Sequence, residues 1–254
     1  MPQLKNCKNI HFFYFPEYQV YYYPLYKDFT ITSGLLSKKI LSLNKRGSIY
    51  RQLLYRFFYH NNFLKDSYFS YLCETGHCGQ LFDETYQAQI EQWITDFYGQ
   101  WPDLQTWSIP EKKFITVNDE ESLNAYQHWS NLQGWETGTL DPSLVHDTAL
   151  YTSSFCSVVV ETCPEDSFVN ISEKTIRAIC LGHPIIFVAA PGTVKFLESL
   201  GLDMYRDVFD HSYDSILDSI ERMKHVTNVI AQVNRHSLDD LTRINQQLES
   251  RRQS

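Results

Sequence analysis

The rhythm of apolar and polar positions changes repeatedly along the chain, and each change predicts an element. Residues 39–43 form a short apolar run that ends at the polar turn Asn44-Lys45-Arg46-Gly47-Ser48. Residues 49–61 then carry Leu53, Leu54, Phe57 and Phe58 at helical spacing, so the segment reads strand, turn, helix. Residues 68–72 read as a second short strand. Further on, the β-branched run Ser157-Val158-Val159-Val160 predicts a strand that ends on a carboxylate, Glu161. A loop containing Pro164 follows, and Ser172-Glu173-Lys174-Thr175 opens a helix through Leu181 that Gly182 closes. The uninterrupted apolar run 184–189 is the pattern of a strand covered on both faces. Pro191-Gly192-Thr193 turns into a helix to Leu200, stopped by Gly201. An amphipathic helix is expected over 214–235, with Ile216, Ile220, Met223, Val226 and Ile230 on one face. A last charged helix starts near Ser237 and is expected to fray at 251–254.

Alternation of strand and helix implies an α/β fold, a Rossmann-like parallel sheet flanked by helices. Two stretches depart from this rhythm. Residues 1–37 are dense in aromatics, interrupted by Pro16 and Pro24, and read as short extended pieces packing on the core. A stacking platform for bases or sugar rings is the alternative. Residues 73–147 hold one helical pattern, over 82–98, among scattered tryptophans, and read as an insertion laid over the core. The organisation expected is therefore an N-terminal segment 1–37, a core domain 38–235 with an insertion at about 73–147, and a C-terminal helix 236–254 with a frayed end.

Composition narrows the function classes. The chain has 254 residues, 43% hydrophobic and 20% charged, enough for a sizeable globular core. Its 22 Lys and Arg against 30 Asp and Glu give a net charge of −8, which argues against a broad surface for nucleic acid. The sequence offers no apolar run of membrane-spanning length and no signal-peptide pattern, so a soluble, cytoplasmic chain is expected. Six cysteines without a CxxC pair fit reduced thiols. The cluster Cys73-Glu74-Thr75-Gly76-His77-Cys78 lacks a second ligand pair at zinc-site spacing, and no metal site or cofactor is expected.

Candidate chemistry gathers at predicted strand ends, where open parallel sheets bind ligands. Asn44 to Arg51 follows the first strand, Glu161 the third, and Ala190-Pro191-Gly192-Thr193 the next. Ser172 to Thr175 adds a helix N-terminus, a place that favours an anion. His183, before Pro184, reads as a partner of the preceding helix's carboxyl end rather than a base.

In that order these features resemble the nucleotide-sugar-binding half of GT-B glycosyltransferases, most closely the α-1,3-fucosyltransferase family. That donor domain opens with an apolar strand, a polar turn and an Arg heading a helix, matched by Leu41-Ser42-Leu43-Asn44, Arg51 and residues 53–58. It continues with a strand ending in Glu, a loop, and Thr-Glu-Lys opening a helix before an apolar strand. Glu161, Ser172-Glu173-Lys174-Thr175, Leu181-Gly182-His183-Pro184 and residues 185–189 match in turn. The resemblance spans residues 38–202, with 73–147 unmatched.

The resemblance implies a single C-terminal-type GT-B half that binds a nucleoside-diphosphate sugar and transfers the sugar to a glycan or other hydroxyl acceptor, inverting and independent of metal. Lys174 and Arg51 would neutralise the pyrophosphate, with Asn44 and Arg46 completing the phosphate loop and Ser172 and Thr175 at the helix head. Glu173 would accept from ribose hydroxyls. Glu161 is the catalytic candidate, binding sugar hydroxyls or offsetting oxocarbenium charge. Two departures stand out. The family places Tyr where Asn170 stands, and it supplies the acceptor-activating base from an N-terminal domain for which only 37 residues stand here. Either Glu74, Asp83, Glu84 or Asp147 takes that role, or a protein partner supplies the acceptor side, or the chain is a non-catalytic nucleotide- or glycan-binding module.

Overall fold

The computed structural model describes residues 35–44, 48–72, 114–115, 148–161, 164 and 168–253. Strand β1 (Lys38–Asn44) leads into helix α1 (Ile49–His60), whose N-cap is Ser48. Strands β2 (Ser67–Leu72) and β3 (Phe114–Ile115), the short helix α2 (Thr148–Thr152) and strand β4 (Ser154–Val160) come next. They are followed by α3 (Glu173–Cys180), β5 (Ile185–Val188), α4 (Thr193–Ser199), α5 (Ser219–Arg235) and α6 (Leu238–Leu248).

The five strands form one sheet in the order β3-β2-β1-β4-β5. β1 pairs in parallel with β2 and β4, and β4 with β5; only the two-residue β3 runs antiparallel. Every residue of β4 and β5 is buried, as continuous apolar strands with both faces covered must be. Helix α5 packs on β5, and α6 on β1 and β4. The Rossmann-like α/β class expected from the pattern is therefore present as four parallel strands flanked by helices. Because β2 lies on one side of β1 and β4 on the other, the topology switches between β1 and β4. In open α/β sheets the ligand crevice opens at the carboxyl ends of such strands.

Local chemistry explains the element ends. Gly182 takes the left-handed conformation, φ 60°, and closes α3 with amide bonds from Gly182 to Ile179 O at 2.9 Å and from His183 to Ala178 O at 2.8 Å. Helix α6 opens with the reciprocal capping box of Ser237 and Asp240.

Two expectations need correction. The helix expected from 214 begins only at Ser219, because Asp218 caps it, accepting from the amides of Ile220 and Glu221 at 3.0 and 2.9 Å. Asp214 serves α4 instead: its carboxylate accepts from the amides of Val194 and Lys195 at 2.9 and 3.0 Å, and its carbonyl from Gly192 at 2.8 Å. Residues Ser212–Ser215 form a separate 3-10 turn. At the C-terminus a 3-10 turn spans Glu249–Gln253, and Arg251 pairs with both Asp203 and Asp207 and lies over the Tyr205 ring. His183 faces β4 rather than the carboxyl end of α3. Its Nε2–H donates to Ser154 O at 2.9 Å, which leaves Nδ1 to accept from the Ser157 hydroxyl at 2.8 Å. The segment 1–34, most of the insertion 73–147 with its expected helix, and the Cys73–Cys78 cluster lie outside the described residues.

Candidate functional site

The switch point is built from β1 outward. Ser42 is polar inside an apolar strand, and its hydroxyl donates to Val158 O at 3.1 Å, linking β1 to β4. Asn44, buried at the carboxyl end of β1, gives its amide to the Ser42 hydroxyl at 3.0 Å. Arg51 stands in the first turn of α1, is only 8% exposed, and sends Nη2 across to Val160 O at 3.4 Å, the last carbonyl of β4. The start of α1 and the end of β4 are thereby joined through a guanidinium.

Glu161 follows Val160 and is 1% exposed. Both of its carboxylate oxygens accept from the Ser172 amide, at 3.1 and 3.2 Å, and Oε1 also accepts from the Thr175 hydroxyl. The anion at the positive end of α3 is therefore the chain's own carboxylate, placed as the macrodipole favours. Expected to serve a ligand at this helix head, Ser172 and Thr175 instead meet Glu161. The buried Ser172 hydroxyl has no hydrogen-bond partner among the described residues and does not cap the helix.

Glu173 and Lys174 come next and are partly exposed, with Nζ and Oε1 3.1 Å apart. Burial pushes the Glu173 carboxyl up, but the Lys174 charge and hydrogen bond, a backbone amide and Arg177 outweigh it, so the group stays below its ordinary range. A carboxylate in that state accepts hydrogen bonds and does not hold a proton at neutral pH.

The sequence-derived residues thus fall into one contiguous chain of contacts, Arg51 to Val160, Glu161 to Ser172 and Thr175, then Glu173 and Lys174. Arg46 lies outside the described residues. Among the described residues no group of three or more His, Cys, Asp and Glu is placed to hold a metal ion. No helix among them is long and apolar enough to cross a membrane. Sequence reasoning missed Ser42, signalled only by a hydroxyl within an apolar run, and Arg222, whose guanidinium holds Pro164 O in the β4–α3 connection at 2.7 Å. No family model matches this chain, and no curated protein and no solved structure matches it either.

Proposed function

We propose that the crevice at the carboxyl ends of β1 and β4 binds a nucleoside-diphosphate sugar, and that the protein is a glycosyltransferase-like chain, a single GT-B-type donor half, that passes the sugar to a hydroxyl acceptor. The observation that carries this reading is the meeting of Arg51 with the end of β4 at the topological switch point, beside the Glu173–Lys174 turn. Two cations at the edge of a parallel sheet suit a pyrophosphate, and they stabilise the charge that grows on a departing nucleoside diphosphate without calling on a divalent metal. Glu173, ionised, is suited to ribose hydroxyls. The reaction inverts the anomeric centre. The acceptor side, with its base, comes from outside the described residues or from a partner protein. Free Cys156 and Cys180 suit a reducing, cytoplasmic setting.

A second reading, a nucleotide- or glycan-binding module without turnover, is favoured by one observation. Both oxygens of Glu161, the catalytic candidate, are engaged at the head of α3. Calorimetric titration with GDP, UDP and ADP, followed by assay of donor-sugar hydrolysis, separates the two. Saturable binding with hydrolysis supports transfer, saturable binding alone supports the module, and no binding at millimolar nucleotide removes transfer and the nucleotide-binding form of the module.

A further inference from the structure

Arg222 stands in the first turn of α5, where the helix dipole disfavours a cation, and it is buried. Its Nη1 donates to Ile216 O at 2.6 Å and to Leu217 O at 3.0 Å, and its Nη2 to Pro164 O at 2.7 Å. The first two carbonyls belong to the segment just before the same helix. The third is 58 residues away in sequence, in the connection between β4 and α3. At its other end this connection is gripped by Glu161, through the Ser172 amide and the Thr175 hydroxyl. The connection is thus fastened twice, to α5 by a guanidinium and to the end of β4 by a carboxylate, and the Glu173–Lys174 turn follows directly from it. An apolar side chain would fill the Arg222 site without the cost of taking a charge out of water. What the guanidinium adds is a fixed, forked set of donors that holds two connections in register.

We infer that Arg222 is a positioning residue for the crevice: by fastening Pro164 to the start of α5 it sets where the first turn of α3 stands, and so the affinity of the crevice for a nucleoside diphosphate. The ligand half of this inference rests on the proposed function; the fastening does not.

The experiment combines amide hydrogen exchange with titration of GDP and UDP on the full chain, comparing wild type, Arg222→Met and Arg222→Lys. In Arg222→Met, exchange at residues 168–172 is expected to rise at least tenfold, and affinity for the nucleotide that wild type binds to fall at least tenfold. Amides near Asn234, at the far end of α5, exchange as in wild type. Arg222→Lys, whose ammonium still reaches part of the carbonyl set, is intermediate in both readouts, and it carries the test alone should the Met variant fail to fold. Wild-type exchange at 168–172 in the variants overturns the fastening, as does an equal rise along the whole of α5. Wild-type affinity alongside raised local exchange overturns the link to the ligand. Should wild type bind neither nucleotide, nor ADP, the proposed function falls with the ligand half, while exchange still decides the fastening.

Discussion

Glu161 and Lys174 stand close together at the head of α3, yet they differ in what depends on them. Removing the Glu161 carboxylate strands a buried amide and a buried hydroxyl, and each unsatisfied group costs about 1–3 kcal/mol. Glu161→Ala is therefore expected to lower stability by about 3 kcal/mol in urea denaturation. Lys174 is partly exposed and pairs with its neighbour Glu173, so Lys174→Ala is expected to change stability by less than about 0.5 kcal/mol. The same Lys174→Ala variant is expected to lose at least tenfold in nucleoside-diphosphate affinity by calorimetry, and unchanged affinity would remove Lys174 from the phosphate site. A carboxylate at the end of a β-branched run was readable in the sequence. Its partner was not, because the loop from Glu161 to Ser172 carries no period that says where it returns.

Elements with a clean apolar period were legible: β1, α1, β4, α3 and β5 lie close to where the pattern put them. Helix α5 was misread at its start, because Ile216 continues the helical spacing while the Asp214 carboxylate, a long-range cap on α4, cannot be seen from spacing at all. The outer edge of β5 was equally invisible. There the Phe187 amide donates to the Tyr213 hydroxyl at 3.0 Å, that hydroxyl donates to His211 Nδ1 at 2.7 Å, and His211 Nε2–H donates to Met204 O at 2.7 Å. This chain occupies the outer edge of β5, which would otherwise present an unpaired buried amide. Tyr213→Phe is expected to cost about 1–3 kcal/mol in chemical denaturation, because the Phe187 amide loses its acceptor.

The edge chain also sets a pH dependence. Burial, with the Arg206 charge adding to it, pushes the His211 imidazole below its ordinary 6.5 despite the opposing Met204 carbonyl, Asp214 and Glu198. The unfolded chain therefore takes up the proton first as pH falls, so this contribution to stability is intact above about pH 6.5 and declines below it. Equilibrium denaturation between pH 7.5 and 5.5 is expected to show that decline in wild type and a flatter profile in His211→Gln. Identical profiles would contradict the assignment.

Over the whole molecule, the chain carries a net charge of −8, and at the switch of a parallel sheet in the order β3-β2-β1-β4-β5 the cations Arg51 and Lys174 stand among the carboxylates Glu161 and Glu173. The tail is tied back on itself by Arg251, whose pairs with Asp203 and Asp207 are largely solvent-exposed. Such pairs contribute up to about 1 kcal/mol and weaken with salt. Arg251→Ala is thus expected to lower the melting temperature slightly at low ionic strength and less at 1 M salt, on the scale of a Debye length that shrinks from about 10 Å to 3 Å. We propose that a crevice between β1 and β4 takes a nucleoside diphosphate through Arg51 and Lys174. Titration of wild type and Lys174→Ala with GDP, UDP and ADP is the direct test. Saturable binding by wild type is expected, reduced at least tenfold in the variant with the melting temperature unchanged; no saturable binding of any of the three at millimolar concentration would contradict the proposal.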